Sequence, residues 1–323
     1  MSRHDDEHAR FERPKRRTRP RTKERPDYSS LPLGRVTTVD RGRYTTRLDD
    51  GTVVTAAKAR QLRGIVVGDL VRLDGDVSGR KDSLARIAEV QPRTTELRRT
   101  ADDDDPIERI VVANADQLVV VAALADPPPR PALIDRCLVA AYDAGLDPLV
   151  ILTKADLASP DVMVDALSPL DVPVLVVDPD ADLDPVRAAL ADRTSVLIGH
   201  SGVGKSTLVN HLVPDADRTT SHVNAVTGRG RHTSTSAVVL DLPGGGHIID
   251  TPGFRSFGLA HVEVGRIVTA FTDLAELTAD CPRGCAHAAS DPECALDAAA
   301  AEGRLRPERL ASFRRIVESR DTL

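Results

Sequence analysis

The feature that most constrains this chain is a strand, a glycine turn and a helix written in immediate succession. An apolar run, Val196 to Ile198, leads into G-x-x-x-x-G-K-S from Gly199 to Ser206, and "KSTLVNHLV" follows with helical spacing. Glycines at Gly199, Gly202 and Gly204 let the backbone turn tightly, so that N–H groups of His200, Ser201, Val203 and Lys205 can face one phosphate with a helix N-terminus behind them. Lys205 reaches the β- and γ-phosphates in this arrangement. The Ser206 hydroxyl ligates Mg²⁺, and Thr207 closes the first helical turn. Lysine is scarce elsewhere: of 43 Lys+Arg, only Lys15, Lys23, Lys58, Lys81, Lys154 and Lys205 are lysine. Its use here suits a compact ammonium better than a planar guanidinium.

The second lysine-bearing motif lies upstream, in "LVILTKADL" (149–157). Asp156 can accept from both N1–H and the N2 amine of guanine, whereas adenine offers neither and would leave the carboxylate unpaired. Lys154 would lie along the base. Thr153 stands where many guanine-binding boxes carry Asn. A third motif, "GHIIDTPGF" (246–254), is an apolar strand ending in D-x-x-G: Asp250 would hold Mg²⁺ through water and the Gly253 N–H would meet the γ-phosphate. Before it, "GRGRHTSTS" (228–236) supplies Thr233 or Thr235 to complete the Mg²⁺ shell, Thr233 being preferred because it follows His232 directly. Phe254 after the D-x-x-G can neither donate nor accept a hydrogen bond. His232 is then the nearest candidate to position water, against the plainer reading of a loop histidine.

In chain order the boxes run TKAD, phosphate loop, threonine loop, DTPG, so the base box comes first. That is a circular permutation, tolerable because domain termini usually lie close together. With "ANADQLVVVAAL" (113–124), "LIDRCLVAA" (133–141), "GRGRHTSTS" and a C-terminal cysteine cluster, the chain resembles the circularly permuted, ribosome-small-subunit-dependent GTPases (RsgA or YjeQ) over about residues 33–320. The resemblance implies GTP hydrolysis to GDP and phosphate, stimulated by the small ribosomal subunit, in late maturation of that subunit and in contact with its rRNA.

The cysteine cluster reads C-x₃-C-x-H-x₆-C: Cys281, Cys285, His287 and Cys294. Three thiolates and an imidazole make a closed tetrahedral Zn²⁺ shell with no position for substrate, hence a structural site. Relative to the resembled family, the first gap is one residue short and the last one residue long. With four cysteines in all, this pattern points to a reducing cytoplasm rather than a disulfide scaffold. Cys137, on an apolar helix stripe, is expected in the core. No apolar run reaches membrane-spanning length and the N-terminus is charged throughout, so neither a membrane span nor a signal peptide is expected. A monomer is expected.

The net charge of −6 conceals an asymmetry: residues 1–100 hold 24 Lys+Arg against 15 Asp+Glu, and the remainder 19 against 34. A basic front on an acidic protein points to a polyanion. Residues 1–30 are rich in Arg and Pro with almost nothing apolar, so they are expected to be a disordered arm, for RNA or for solubility. Residues 31–98 alternate β-branched and polar residues between closely spaced turns, which predicts an OB-fold barrel. With Tyr44 its lone aromatic, sequence-tolerant stacking of bases is not expected. Arg35, Arg41, Arg43, Arg47, Lys58, Arg60 and Arg63 suit phosphates instead. "RRTADDDDP" (98–106) reads as a linker. Residues 107–260 alternate buried strands with helices, predicting a doubly wound α/β GTPase domain, and 261–323 a helical zinc-binding domain whose tail presents Leu310, Phe313 and Val317 on one face. Two other functions fit parts of the chain: a metabolic P-loop kinase, which would need a second-substrate pocket, and an RNA-binding protein with a degenerate nucleotide site, against which Lys205, Ser206 and Asp250 argue.

Overall fold

The computed structural model describes residues 27–100, 108–180, 182–214, 237–252, 259 and 262–319. The expected small barrel forms from β1 (Leu33–Asp40), β2 (Arg43–Leu48), β3 (Val53–Lys58), β4 (Leu70–Gly75) and β5 (Ala85–Val90). They run β1-β2-β3-β5-β4 and close by pairing β4 back onto β1, with β3 and β5 parallel. Alternation does the work: Val36, Tyr44, Val54, Ala56, Val71, Leu73, Ala85 and Ile87 point inward and form the barrel core. Tyr44 is thus a core residue, unavailable for stacking.

The stretch expected as a linker begins as structure. Arg98 and Arg99 belong to β6 (Glu96–Arg99), which pairs antiparallel with β7 (Arg109–Ala113). Cross-strand pairing satisfies their backbone groups, and the Arg98 side chain binds Glu96 and Glu108.

Beyond β7 the chain winds a sheet around β8 (Gln117–Ala123), with α1 (Pro131–Ala144), β9 (Asp147–Thr153), α2 (Asp161–Leu167), β10 (Val174–Val176), α3 (Asp184–Leu190), β11 (Thr194–Ile198), α4 (Lys205–Leu212), β12 (Val238–Asp241) and β13 (His247–Asp250). The order β10-β9-β8-β11-β13 is parallel throughout, and β12 adds an antiparallel edge. The central strands β8, β9 and β11 bury both faces, whereas the edge strands β10 and β12 are only partly covered. Leu118, Val120, Val150, Leu152, Val196 and Ile249 face α1 and α2, while Val119, Val121, Leu149, Ile151, Leu197 and Ile248 face α3 and α4. This period-two division between two cores is the doubly wound arrangement expected.

Among the described residues four further α-helices follow: α5 (Val264–Thr269), α6 (Thr272–Leu277), α7 (Ala295–Ala301) and α8 (Pro307–Ser319). They share the core of the sheet's α1 face, where Phe271, Leu274, Leu296, Phe313 and Ile316 join Leu138 and Ile134. The C-terminal region therefore does not rest on a metal alone; it completes a core begun in α1. Phe313 is fully buried, edge-on to Phe271 at 5.5 Å. Arg309 stacks 4.8 Å from the Phe271 ring and binds Asp273, and Arg315 reaches Asp135 of α1 at 2.9 Å.

Barrel and sheet meet in two places. Among the described residues the β1 edge pairs with β12 at Thr38, opposite Val238. On the other side Gly68 lies against the Ala113 carbonyl so closely that a Cβ would stand 2.0 Å from it. There Ala113 N–H donates to Val67, and the buried Asn114 donates to the Gly68 carbonyl at 3.1 Å while accepting from Thr94.

Candidate functional site: a phosphate loop and a base box locked together

The strand order places β8 and β11 side by side where the winding direction reverses, and ligands bind such sheets at the carboxyl ends of strands around that point. The phosphate loop leaves β11 there. Gly199 has no room for a side chain, since a Cβ would meet the Val121 carbonyl at 2.5 Å. Gly202 and Gly204 adopt φ of 84° and 89°, the left-handed conformation that glycine supplies without strain. Gly204 then caps α4, which begins at Lys205.

Lys205 is buried and its ammonium is held by the Asp250 carboxylate and by the Thr251 carbonyl at 2.6 Å. The D-x-x-G strand end thus meets the phosphate-loop lysine directly. Thr251 was not singled out from sequence, although it sits inside the motif. Its hydroxyl donates to Leu197 at 2.7 Å, clamping the end of β13 to β11. Ser206 follows Lys205 on the first turn of α4, half-buried, so that two oxygen donors, Ser206 and Asp250, flank the lysine in the chain's own motifs.

The base box lies at the end of β9. Thr153 is buried, and its hydroxyl donates to the Val203 carbonyl of the phosphate loop at 2.6 Å, with Ala122 at 3.3 Å. The residue standing in place of Asn therefore ties the two nucleotide motifs together. Lys154 takes φ of 61° and donates to the Asp126 carbonyl, while Asp156 is exposed and free to face a ligand. The segment Asp126–Arg130, passed over in the sequence, contributes Pro127, Pro128 and Pro129 to a small apolar cavity floored by Val120–Ala123 and walled by Gly199, His200 and Val203. His200 turns its Nδ1 to the Ser201 carbonyl, 2.9 Å away. The predicted residues His232, Thr233, Thr235, Gly253 and Phe254 lie outside the described residues, as does the arm up to residue 26.

Cys281, Cys285, His287 and Cys294 converge, with one ligand atom from each within 4.8 Å of all the others. His287 Nδ1 stands 3.6, 3.5 and 3.8 Å from the three sulfurs. Backbone N–H groups already aim at sulfur: His287 at Cys285 and Ala295 at Cys281, both at 3.4 Å. Such donors favour thiolate. Without a cation, desolvation and then the neighbouring thiols push Cys285 up to about 12, and burial holds His287 below its ordinary value. A bound cation reverses that balance. Cys137 takes no part. Buried in the α1 core, its thiol is pushed up to about 12 by desolvation.

Two of the barrel arginines expected to meet phosphates are committed elsewhere. Arg47 pairs with Asp241 of β12, and Arg35 is withdrawn toward the sheet, its guanidinium pKa lowered by desolvation and partly restored by Asp116. Arg41, Arg43, Lys58, Arg60 and Arg63 remain exposed.

Comparison with known proteins agrees with this geometry. The family model for the RsgA GTPase matches residues 90–260. A Small ribosomal subunit biogenesis GTPase RsgA from Pseudomonas aeruginosa (strain LESB58) is 38% identical over 279 residues, covering 84% of this chain and 80% of the relative. This chain belongs to the RsgA GTPase family. It is accordingly a GTP-hydrolysing enzyme, with its nucleotide motifs in permuted order. The namesake from Shewanella oneidensis is 36% identical over 284 residues, 84% of this chain and 79% of that protein. Among solved structures, YjeQ from Thermotoga maritima matches with a TM-score of 0.65 at 23% identity, over 90% of this chain and 99% of that one. YloQ, described as a circularly permuted GTPase, matches at 0.64 and 22%, over 92% and 98%. These two likenesses are of fold. Among the described residues no helix is long and apolar enough to cross a membrane.

Proposed function

We propose that this protein is a cytoplasmic, monomeric GTPase of late small-subunit assembly. In this reading it binds the small ribosomal subunit and its rRNA, and hydrolyses GTP to GDP and phosphate in response. The observation that carries the reading is the lock between base box and phosphate loop, with Lys205 set against the D-x-x-G aspartate. In this reading Lys154 and Asp156 recognise guanine and residues 199–207 the phosphates, and those contacts support a common frame for the two. The relatives' names supply the ribosomal context.

Ser206 and Asp250 are hard oxygen donors beside the phosphate-loop lysine, a donor set that fits Mg²⁺, with Thr233 as the further ligand when GTP is bound. The ion would neutralise charge developing on the transferred phosphoryl group. His232 would position the attacking water, and Gly253 would sense the γ-phosphate. For the Cys₃His site we assign zinc. A tetrahedral ion with sulfur at about 2.3 Å and nitrogen at about 2.0–2.1 Å separates those atoms by about 3.6 Å, and the observed 3.5–3.8 Å brackets that value. The ion would be structural, since all four positions are filled by protein. The division of labour is then an arm (1–30), an RNA-binding barrel (31–98), the GTPase domain (107–260) and the zinc-binding helices (261–323), with the exposed barrel arginines turned to RNA phosphates.

GTP and ATP turnover measured with and without purified small subunits tests this. Stimulation of GTP but not ATP hydrolysis is expected; turnover indifferent to subunits, or equal for ATP, would refute it. Removing residues 1–30 should leave intrinsic turnover intact while weakening subunit binding, each lost phosphate contact lowering the log–log salt slope by about 0.7–0.9.

A further inference from the structure

His287 lies in a turn that the backbone would not choose unaided. Its φ is 59°, left-handed, for a residue with a Cβ. Two charged side chains outside the ligand set hold it there. The Asp291 carboxylate accepts the N–H of Ala286 at 2.7 Å and the N–H of Ala288 at 3.1 Å, both on one oxygen, so it brackets His287 from either side in the chain. From α8, Arg314 donates through Nε to the His287 carbonyl at 2.9 Å and through Nη2 to the Ala288 carbonyl at 3.3 Å. Its remaining reach goes to Asp297, three residues past Cys294, at 2.8 Å. The backbone groups of residues 286–288 are thereby gripped on the amide side by a carboxylate and on the carbonyl side by a guanidinium.

We propose that Asp291 and Arg314 are positioning residues of the Cys₃His metal site, fixing the His287 turn so that Nδ1 faces the three sulfurs. Neither touches the metal position through a ligand atom of its own. Asp291 Oδ2 does lie 3.6 Å from Cys285 Sγ, whose thiol can donate to it. Once that sulfur is a thiolate it has no proton to give, and the two amide donors keep the carboxylate in place. Arg314 also balances the negative charge of three thiolates and joins the site to α8, whose neighbouring Arg315 binds Asp135 of α1. Planar geometry is what the arginine contributes: its four contacts come from three separate nitrogens, whereas a lysine has three donors on a single nitrogen.

The inference rests on the metal reading above, and the experiment separates the two. Full-length protein, Asp291→Ala, Arg314→Lys and, as a control on the same helix, Arg315→Met are titrated with Zn²⁺ against a chromophoric chelator. The same proteins are loaded with Co²⁺ and their d–d bands recorded. Wild type that takes up no stoichiometric metal would overturn the metal assignment itself. Given binding, Asp291→Ala and Arg314→Lys should each lose about 10–100-fold in Zn²⁺ affinity, the usual range for outer-shell partners, with shifted Co²⁺ bands. Arg315→Met, which loosens α8 away from the turn, should keep wild-type affinity and spectrum. Unchanged affinity and spectrum in both site variants would refute the proposal. So would an Arg315→Met loss as large as that of Arg314→Lys, since that would mark general helix loosening. If Asp291→Ala does not fold, Arg314→Lys decides.

Discussion

The Thr153 hydroxyl is worth removing in stages, because its contact with the Val203 carbonyl is both short and buried. In Thr153→Ala the carbonyl loses a donor at a site closed to water, which costs about 1–3 kcal/mol. Phosphate binding needs the loop N–H groups in their present arrangement, so the loss should appear in nucleotide affinity as a rise in GDP Kd of about 5- to 150-fold. Thr153→Val should be worse. A methyl group in place of the hydroxyl would sit 2.6 Å from the carbonyl oxygen, whereas carbon–oxygen contacts settle near about 3.3–3.6 Å, so the loop must yield by roughly 0.7 Å or more. Thr153→Ser keeps the donor and should bind GDP nearly as wild type does. The assay is equilibrium titration with a fluorescent GDP analogue, repeated with the inosine analogue. Because the hydroxyl faces the loop rather than a base, the ratio of guanine to hypoxanthine affinity should not change. GDP binding within twofold of wild type for Thr153→Ala, or Ser as poor as Ala, would refute the lock.

Three further outcomes are expected. Asp156→Asn should lose about 10²-fold or more in discrimination between GTP and XTP, read by competition against labelled GDP, because the exposed acceptor pair becomes part donor. Phe313→Ala removes a fully buried ring and should lower stability by about 3–5 kcal/mol in urea unfolding followed by a probe on α1, while the barrel transition stays put. His247 is held below its ordinary pKa first by burial and then by Arg35 and Arg47. Its neutral form is favoured in the folded protein, so its contribution is fully present above about pH 6.5 and lost as pH falls through the lower folded value. In metal-loaded protein, urea midpoints at descending pH should show that slope, and His247→Gln should flatten it.

Much of the architecture could be read from pattern. Runs such as "QLVVVAAL" and "PLVIL" announce strands buried on both faces, and inward alternation in 33–90 announces a barrel. The phosphate loop could be read because its glycines are steric requirements: Gly199 beside Val121 admits nothing larger. What could not be read were partnerships between distant residues. In sequence Thr153 is only the residue standing where many guanine-binding boxes carry Asn, and the folded sheet alone brings Val203 to its hydroxyl. Arg35 and Arg47 looked like their exposed neighbours, because nothing local says that the outer face of β1 and β2 turns toward Asp116 and Asp241. The sharing of one core by α1 and α8 is likewise a fact of chain return, 183 residues apart in the Arg136–Ser319 contact.

The two joints between barrel and sheet are unequal, and their inequality sets the order in which the molecule comes apart. At one side Gly68 and Ala113 are pressed backbone to backbone, and Asn114 makes a buried hydrogen bond to Gly68 and a part-buried one with Thr94. At the other, the described residues offer the pair Thr38–Val238 and an Arg47–Asp241 contact that is more than a third exposed, an ion pair of the kind worth about 0–1 kcal/mol. The barrel is therefore hung like a door, pinned along the Val67–Asn114 edge and held by a light catch at Thr38 and Val238. The expected first opening is at the catch, exposing the β12 edge. Amides along that catch will exchange with solvent by a small opening, long before those of the pinned edge.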